Sequence, residues 1–362
     1  MIVAIDGTPA IRERPTGTEV YARAVIEALA STNPGHILVV YANAQNPPSW
    51  LPPSVHWRGI PFPRLWTHLK LGRTLRRERP DVLFVPSHVL PVGLRVPSAV
   101  TIHDVGHRYE RRTYSTADWL YLELTTRYMA RRASRLIAVS QSTANDLKRF
   151  YGVDASRIAV VHSGVDEWMR PPGADAVAEV RSRYGLPDTY YLFVGRNHPR
   201  KNLPFLLRAF AEARTRGLAA SLVVAGPDHA PATSDAVRVL PYIPREDLPA
   251  LYAGAIALTL PSRFEGFGFP VLEAMRCGTA VIASRAGALP EIVGSAGILL
   301  SPTDVSAWSE ALRQLAQDLE LQRRLIAAGQ SWSGRFTWRA TAEGIWPVFE
   351  GIARSGQAAA SR

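Results

Sequence analysis

The sequence predicts an α/β protein made of two doubly wound domains. Short apolar runs alternate with longer amphipathic stretches along the 362 residues, which is typical of buried parallel strands joined by helices. The alternation occurs in two series, separated by a Pro/Gly cluster at residues 169–173, a plausible hinge. The length also suits about two domains, each large enough for its own core. We therefore expect one domain at residues 1–168, a second at residues 169–340, and a last segment at residues 341–362.

Each element follows from local periodicity. In the first series, apolar runs predict strands at residues 2–5, 37–41, 82–85, 99–102 and 136–139, and helical spacing predicts helices at 19–30, 65–79, 117–132 and 141–150. In the second series, the same criteria predict strands at residues 190–194, 221–225, 256–260 and 280–283, and helices at 203–215, 245–253, 271–276 and 305–328. Ligands of such sheets bind beyond the carboxyl ends of the strands, so the loops that follow the strands are the candidate sites.

Composition narrows the classes of partner and of chemistry. The net charge is +11, and only three of the 42 basic residues are lysines. Such a charge suits nucleic acid, an acidic membrane surface or a phosphorylated substrate. The single cysteine, Cys277, excludes an internal disulfide framework and a cysteine-based zinc site. No apolar run approaches the length of a membrane span, and the first residues begin like a strand, so we expect no signal peptide.

A glycine-rich turn carries the strongest chemical signal. Residues 261–274 read PSRFEGFGFPVLEA and lie between a predicted strand and a predicted helix. Glycines allow a tight turn and close backbone approach to a ligand, and amides at a helix N-terminus attract an anion. Glu265 and Glu273 flank the turn, where carboxylates suit hydroxyl groups of a sugar and a ribose. The plain alternative is two solvated glutamates beside a structural turn. The backbone expected to bind a donor is that of Gly266, Phe267, Gly268 and Phe269.

A basic turn follows the first strand of the second series. Residues 193–202 read FVGRNHPRKN. Arg196 and Lys201 are spaced to approach one diphosphate from two sides, Arg as a fork and Lys as a point charge. Asn202 is predicted to cap the next helix. The alternative interpretation is a basic surface loop.

Together these segments resemble a known family. Residues 261–274 resemble the E-x7-E signature of retaining glycosyltransferases of family 4, and the G-R…K-N pattern of residues 195–202 matches that of its mannosyltransferase-like group 1 members. The resemblance covers nearly the whole chain. It implies the GT-B fold, in which two Rossmann-like domains face each other across a cleft and a C-terminal helix crosses back to the N-terminal domain.

The resemblance also assigns roles to individual residues. It implies that Glu265 contacts the hydroxyl groups of the donor sugar and that Glu273 holds the nucleotide ribose. Arg196 and Lys201 would hold the diphosphate and stabilise the departing nucleotide, with Glu265, Arg196, Lys201 and His103 as the catalytic set.

Five positions, including His103, take weaker assignments from the same resemblance. Gly17 corresponds to a first loop whose backbone faces the diphosphate, and Ile243 to the loop that reads the nucleobase. His103 and Asp104 end a predicted strand, where His103 would bond the sugar or the acceptor hydroxyl and Asp104 would lie on the acceptor side. His88 is a similar acceptor-side candidate. For these positions, a purely structural histidine or turn glycine is the alternative.

The implied reaction is transfer of a sugar with retention of its anomeric configuration. GDP-mannose is the favoured donor and a UDP-glucose-type donor the alternative; the acceptor is a glycan, a lipid-linked molecule or a small molecule, as in polysaccharide biosynthesis. We expect no metal or prosthetic group, because the sequence has no Asp-x-Asp and its nine histidines are scattered. The nucleotide-sugar is then a co-substrate only.

Other interpretations stay open at this stage. An epimerase, a pyridoxal-phosphate phosphorylase and a non-catalytic binder of nucleotide-sugars or polyanions share parts of the pattern, while nucleic acid binding lacks a recognisable motif. The expected location is the cytoplasm. Residues 64–79, from Arg64 to Arg79, carry six basic residues against one acidic. They form either an ordinary domain helix or an amphipathic contact with the inner face of the membrane.

Overall fold

The chain forms two units, each with its own parallel sheet and core. The computed structural model describes residues 1–13, 16–62, 65–87, 89–226 and 234–360, and only the backbone of residues 357–360. Unit 1 comprises Met1–Gly164 and Thr337–Arg362, and unit 2 comprises Val165–Phe336. The boundaries predicted at 168/169 and 340/341 lie four residues beyond those of the structure, 164/165 and 336/337. The last segment of the chain belongs to unit 1.

The sheet of unit 1 has seven parallel strands in the order β3-β2-β1-β4-β5-β6-β7. Its central strands are buried on both faces, which explains their unbroken apolar runs. The strands are β1 (Ile2–Asp6), β2 (Ile37–Ala42), β3 (His56–Gly59), β4 (Val82–Val85), β5 (Ser98–Ile102), β6 (Arg135–Ala138) and β7 (Ile158–Val160).

Helices cover the sheet of unit 1. Side chains from α2, α4 and α5 share one hydrophobic cluster with the strands. The C-terminal helix α13 packs into unit 1 through aromatic side chains, with the Phe84 and Phe349 ring centroids 5.2 Å apart. The helices are α1 (Gly17–Ser31), α2 (Gly72–Glu78), α3 (Gly106–Tyr109), α4 (Thr116–Arg132), α5 (Gln141–Tyr151) and α13 (Trp338–Ala360).

The sheet of unit 2 has six parallel strands in the order β10-β9-β8-β11-β12-β13. A second hydrophobic cluster fills the space between this sheet and helices α7, α11 and α12. The strands are β8 (Tyr190–Val194), β9 (Ser221–Ala225), β10 (Val237–Leu240), β11 (Ala257–Leu260), β12 (Ala280–Ser284) and β13 (Ile298–Leu300). The helices are α6 (Ala174–Tyr184), α7 (Leu203–Thr215), α8 (Leu248–Ala253), α9 (Phe269–Arg276), α10 (Leu289–Val293), α11 (Val305–Gln317) and α12 (Leu319–Ser333).

Every predicted strand is present, whereas several helix predictions were wrong in detail. The helix predicted at 305–328 is two helices, because Asp318 ends α11 and caps α12 through its side chain. The helix predicted at 65–79 is a π-helical turn, Thr67–Leu71, continued by α2. A 3-10 turn, Arg245–Asp247, replaces the start of the helix predicted at 245–253. Sequence patterns missed β3, β7, β10, β13, α3, α6 and α10.

Each sheet has one point at which the strand order reverses, and this point locates a ligand crevice. In unit 1 the reversal lies between β1 and β4, and in unit 2 it lies between β8 and β11. Both predicted phosphate-side motifs of unit 2 follow the strands at that reversal. In the described ranges, none of the helices has the length and hydropathy that a membrane span requires.

Candidate functional site

Glu265 lies in the loop between β11 and α9, and glycines shape that loop. Gly268 has φ 112°, a left-handed conformation that favours glycine. Gly287, from the segment after β12, packs directly on the loop: a Cβ there would lie 2.3 Å from the carbonyl oxygen of Glu265. The amide of Ala288 donates to the same carbonyl oxygen at 2.8 Å. The backbone of Glu265 is thus held from the neighbouring strand connection.

The carboxylate of Glu265 is buried and accepts three side-chain hydrogen bonds. Lys201 Nζ donates to Oε1 at 2.7 Å, and Ser262 Oγ donates to Oε1 at 2.6 Å. Arg200 Nη1 donates to Oε2 at 2.7 Å. A carboxylate has about four acceptor positions, so this one keeps room for a further donor such as a sugar hydroxyl.

Electrostatics keep Glu265 ionised. Burial by itself would raise the pKa of this carboxyl, but Lys201 and Arg200 outweigh burial and lower the pKa from 4.5 to about 2. The carboxylate is therefore an acceptor only, and it does not supply a proton at neutral pH. This suits a group that binds hydroxyls rather than a general acid.

Arg200 is the site residue that sequence reasoning missed. Its Nη1 also donates to the carbonyl oxygen of Phe264 at 2.7 Å, so it links the 3-10 turn Pro199–Lys201 to the glutamate loop. The available signal was its position next to Lys201, within the same motif. Asn202 occupies the N-cap position of α7, as predicted, but its side chain makes no cap hydrogen bond. Its side-chain amide instead donates to the carbonyl oxygens of Pro261 and Pro302 at 3.1 and 3.0 Å.

Arg196 and Lys201 lie on the same connection after β8 but differ in environment. Lys201 is half-buried against Gly195, where a Cβ would lie 3.5 Å from Lys201 Cε. One of the three donor positions of its ammonium is used by Glu265, so others remain for an anion. The side chain of Arg196 is exposed and forms no ion pair with any residue that the structure describes.

Glu273 lies on α9, eight residues after Glu265, and has a different environment. Tyr252 donates its hydroxyl proton to Oε2 at 2.9 Å. Burial raises the pKa of Glu273, while Arg245, 4.0 Å from Oε1, acts in the opposite direction. Arg245 also donates to Asp166 Oδ2 at 2.9 Å. Ile243 is buried in the loop just before Arg245.

The backbone positions predicted to bind a donor lie in the loop that joins Glu265 to α9. Gly268 occupies the N-cap position of α9, and Phe269 is the first residue of that helix. Phe267 is buried, with its ring centroid 5.2 Å from that of Phe269. Together with Gly266, these residues form the turn between Glu265 and α9. The structure brings this turn, Glu265 and Lys201 to the same strand ends.

The remaining predicted residues lie in unit 1. Gly17 is the first residue of α1 and lies between Thr16 and Glu19, which form a capping box. His103 follows β5; its Nε2 lies 2.8 Å from the carbonyl oxygen of Pro86, and its ring meets that of Tyr21 edge-on at 4.7 Å. Asp104 is exposed and accepts from the amide of Gly106 at 2.8 Å. His88 lies outside the described residues.

A second buried carboxyl was not predicted from the sequence. Asp6 ends β1, at the reversal of strand order in unit 1, and is 2% exposed. Burial raises its pKa to about 6, although the amide of Thr8 donates to Oδ1 at 3.1 Å. A polar residue at the end of an apolar run is the signal that could have indicated it.

In the parts of the chain that the structure describes, no three His, Cys, Asp or Glu side chains lie close enough together to hold a metal ion.

Glycosyltransferase family models match both halves of the chain. The model of glycosyltransferase family 4 matches residues 15–168, and the model of group 1 glycosyl transferases matches residues 188–318. The O-antigen chain mannosyltransferase B of Escherichia coli is 30% identical over 283 residues, covering 73% of this chain and 72% of that protein. A D-inositol 3-phosphate glycosyltransferase of Salinispora arenicola is 35% identical over 252 residues, covering 62% of this chain and 56% of that relative.

Solved structures show the fold. The Anabaena protein Alr3699/HepE, in complex with UDP and glucose, aligns with a TM-score of 0.73 at 18% identity, covering 97% of this chain and 99% of that one. The chain belongs to glycosyltransferase family 4, with the GT-B fold. It is an enzyme of the class that transfers a sugar from a nucleotide donor.

Proposed function

We propose that this glycosyltransferase is retaining and metal-independent, and that it transfers mannose from GDP-mannose to a glycan, lipid-linked or small-molecule acceptor. The observation that supports a donor site is the ionised Glu265 between Lys201 and Arg200 at the strand-order reversal of unit 2. Mannose is favoured by the relative named O-antigen chain mannosyltransferase B.

In the proposed reaction, unit 2 holds the donor. A sugar hydroxyl donates to the remaining acceptor position of Glu265, and the two ribose hydroxyls donate to Glu273. Lys201 and Arg196 neutralise the diphosphate as the bond from the sugar C1 to the phosphate oxygen breaks. The acceptor oxygen forms the new bond to C1 on the same face, and the leaving phosphate takes the proton of that hydroxyl, so no protein base is required. The donor-binding role of Gly17, the catalytic role of His103 and the acceptor-side roles of Asp104 and His88 stay predictions.

A UDP-glucose-type donor is the second candidate. Alr3699/HepE, which shares the fold, has been solved with UDP-glucose. The nucleobase would contact the loop around Ile243, where backbone groups do most of the reading, so the side chains here discriminate little between bases.

Thermal unfolding with GDP, UDP, ADP, dTDP and CDP tests the proposal. A ligand at one hundred times its Kd adds about 2.7 kcal/mol of stability, so one nucleotide is expected to raise the Tm clearly above the others. GDP should be that nucleotide, and UDP alone would select the second candidate. Stabilisation by none of the five would contradict the donor site.

The stereochemical part needs a separate measurement. Once the donor is known, NMR of the product gives the configuration of the new glycosidic bond. Retention is expected, and inversion would overturn the proposed mechanism while leaving the donor site intact. Activity that survives exhaustive chelation is expected if no metal takes part.

A further inference from the structure

One surface of unit 1 exposes large apolar side chains from three separate segments. We call it the apolar–basic face. Each of these side chains is between 47% and 66% exposed, although large apolar side chains are usually buried. They are Leu65, Leu69, Val92, Leu120, Tyr121 and Leu124.

The three segments are neighbours on one side of the sheet. Leu71 and Leu75, from the π-helical turn and α2, share a hydrophobic cluster with Met129 of α4. The loop that contains Val92 lies between these elements. Its Val92 amide donates to His68 Nδ1 at 3.2 Å, and the next amide donates to the hydroxyl of Tyr128 on α4 at 3.0 Å. The exposed side chains therefore form one surface rather than scattered positions.

Helix α4 exposes large apolar side chains along this face. Its inner side buries Glu123 and Thr126 together with Met129 and Ala130, while its outer side exposes Leu120, Tyr121 and Leu124. Glu123 is held inward by the hydroxyl of Tyr151 at 2.9 Å and by Arg108 at 3.3 Å. The outer side of a helix that faces water usually carries polar side chains instead.

Basic side chains accompany the apolar ones. Lys70, Arg73 and Arg77 are exposed on the same turn and helix as Leu65 and Leu69, and Arg95 follows Val92. Residues 65–77 contain no Asp or Glu. On α4, the carboxylate of Asp118 accepts a hydrogen bond from Ser115. The face therefore combines apolar groups with a net positive charge, which matches an anionic bilayer.

We propose that the apolar–basic face docks unit 1 on a lipid bilayer that contains anionic lipids. Leucine and tyrosine side chains enter the boundary between headgroups and acyl chains, and the Lys and Arg side chains contact lipid phosphates. A second copy of this chain is a poorer occupant, because it would bring the same positive charge to the contact. The proposal concerns unit 1 and holds or fails independently of the donor that unit 2 binds.

Vesicle co-sedimentation of the full chain tests this. We expect binding to vesicles with about one third phosphatidylglycerol, little binding to pure phosphatidylcholine, and weakening as salt rises from about 0.1 to 0.5 M. Arg73→Gln with Arg77→Gln should weaken binding about 25-fold, since each basic residue contributes roughly fivefold. Leu120→Ser with Leu124→Ser should weaken it at least about tenfold.

Matched controls come from unit 2. Leu319 is 59% exposed on α12, and Arg323 and Arg324 are exposed on the same helix. Leu319→Ser and the Arg323→Gln, Arg324→Gln pair should leave binding unchanged. Equal loss in the controls, or no binding by the wild type, would overturn the proposal. If vesicle binding is lost only in Arg73→Gln with Arg77→Gln, the face binds polyanions in general and does not insert into lipid, which would also overturn the proposal. A dimer that Leu120→Ser with Leu124→Ser converts to monomers would show a second copy as the occupant.

Discussion

At the scale of single residues, Lys201 is one of two cations that contact Glu265. It is half-buried, and its ammonium lies 2.7 Å from Glu265. In the proposed reaction Lys201→Ala should lower kcat about a hundredfold or more, because a preorganised charge at the leaving group is lost. Lys148→Ala, an exposed lysine on α5, is the matched control and should keep full activity. Equal rates for the two variants would remove Lys201 from the mechanism.

Arg200 and Glu265 should be strongly coupled in stability. Removing the charge of Glu265 leaves Arg200 and Lys201 without their partner, which typically costs about 3 to 5 kcal/mol for a buried pair. A double-mutant cycle with Arg200→Gln and Glu265→Gln, followed by denaturant unfolding, measures the coupling. The surface pair Arg313 and Glu310, 2.8 Å apart, is the control and should couple by less than about 1 kcal/mol. Similar values for the two pairs would contradict the role assigned to Arg200.

Asp6 should make stability depend on pH. Its pKa is about 6 in the fold and 3.8 ordinarily, so between these values the folded chain binds the extra proton. The contribution of Asp6 to the free energy of unfolding is then most favourable below about pH 4 and falls as pH rises to about 6. Asp6→Asn, which can still accept from Thr8, should be more stable than the wild type by about 2 to 3 kcal/mol at pH 7, and nearly equal to it at pH 4.

Urea unfolding at both pH values checks this. Asp188→Asn serves as control, because that side chain is 97% exposed and its replacement should not alter the pH dependence. A constant difference between Asp6→Asn and wild type across the two pH values would exclude a raised pKa.

Site residues could be predicted from the sequence where they belong to a short motif. They were missed where their role depends on a contact between residues far apart in the sequence. Lys201 and Glu265 each belong to a short segment whose residue types indicate chemistry. The hydrogen bond between Arg200 and Glu265 joins positions 65 residues apart, and no pattern within one segment predicts it. Asn202 shows the same limit. Its place before a helix is a local signal, but its side-chain amide donates to carbonyl oxygens of two distant loops, which no local pattern predicts.

At the scale of elements, the connection after β12 supports the loop that holds Glu265. Gly287 has φ 55°, and a Cβ there would meet Glu265 backbone atoms at 2.3 and 2.8 Å. Gly287→Ala should therefore displace the loop and lower transferase activity at least about tenfold, beyond the roughly 1 to 2 kcal/mol of the backbone conformation alone. Activity and Tm are to be measured together.

Gly152 provides the matched control for that prediction. It has φ 63°, and a Cβ there would have nothing within 4 Å. Gly152→Ala should show the backbone cost in Tm and normal activity. If both alanine variants lose activity equally, contact with the Glu265 loop is not the cause.

The strands that the sequence predicted correctly are those with the most buried residues. Strands such as β4 and β5 are buried at every residue, so their apolar runs are continuous and easy to identify. The missed strands are three or four residues long, and β3 is mostly exposed with the sequence HWRG. Their strand conformation comes from pairing with a neighbour, as β3 pairs with β2, and not from local preference.

At the scale of the whole molecule, unit 1 is made of two chain segments and unit 2 of one. Helix α13 contributes the buried side chains Ile345, Trp346, Phe349 and Ile352 to unit 1. Each is worth about 1.5 to 3 kcal/mol when buried. We therefore expect residues 165–336 alone to unfold cooperatively, and residues 1–164 alone to lack stable tertiary structure.

Adding residues 337–362 to the first fragment, through a short Gly/Ser linker, should restore cooperative unfolding. Near-UV circular dichroism and denaturant titration of the three fragments measure this. A stable fold of residues 1–164 by themselves would show that α13 is dispensable.

The placement of α13 has a consequence for protein synthesis. Translation completes residues 165–336 before the ribosome reaches the segment that closes the first sheet. The unit made second can therefore mature first, while the unit made first waits with apolar surface uncovered until the residues of α13 are made. A stop codon just before residue 337 would thus damage unit 1, which contains the N-terminal residues, and spare unit 2, which is made after them.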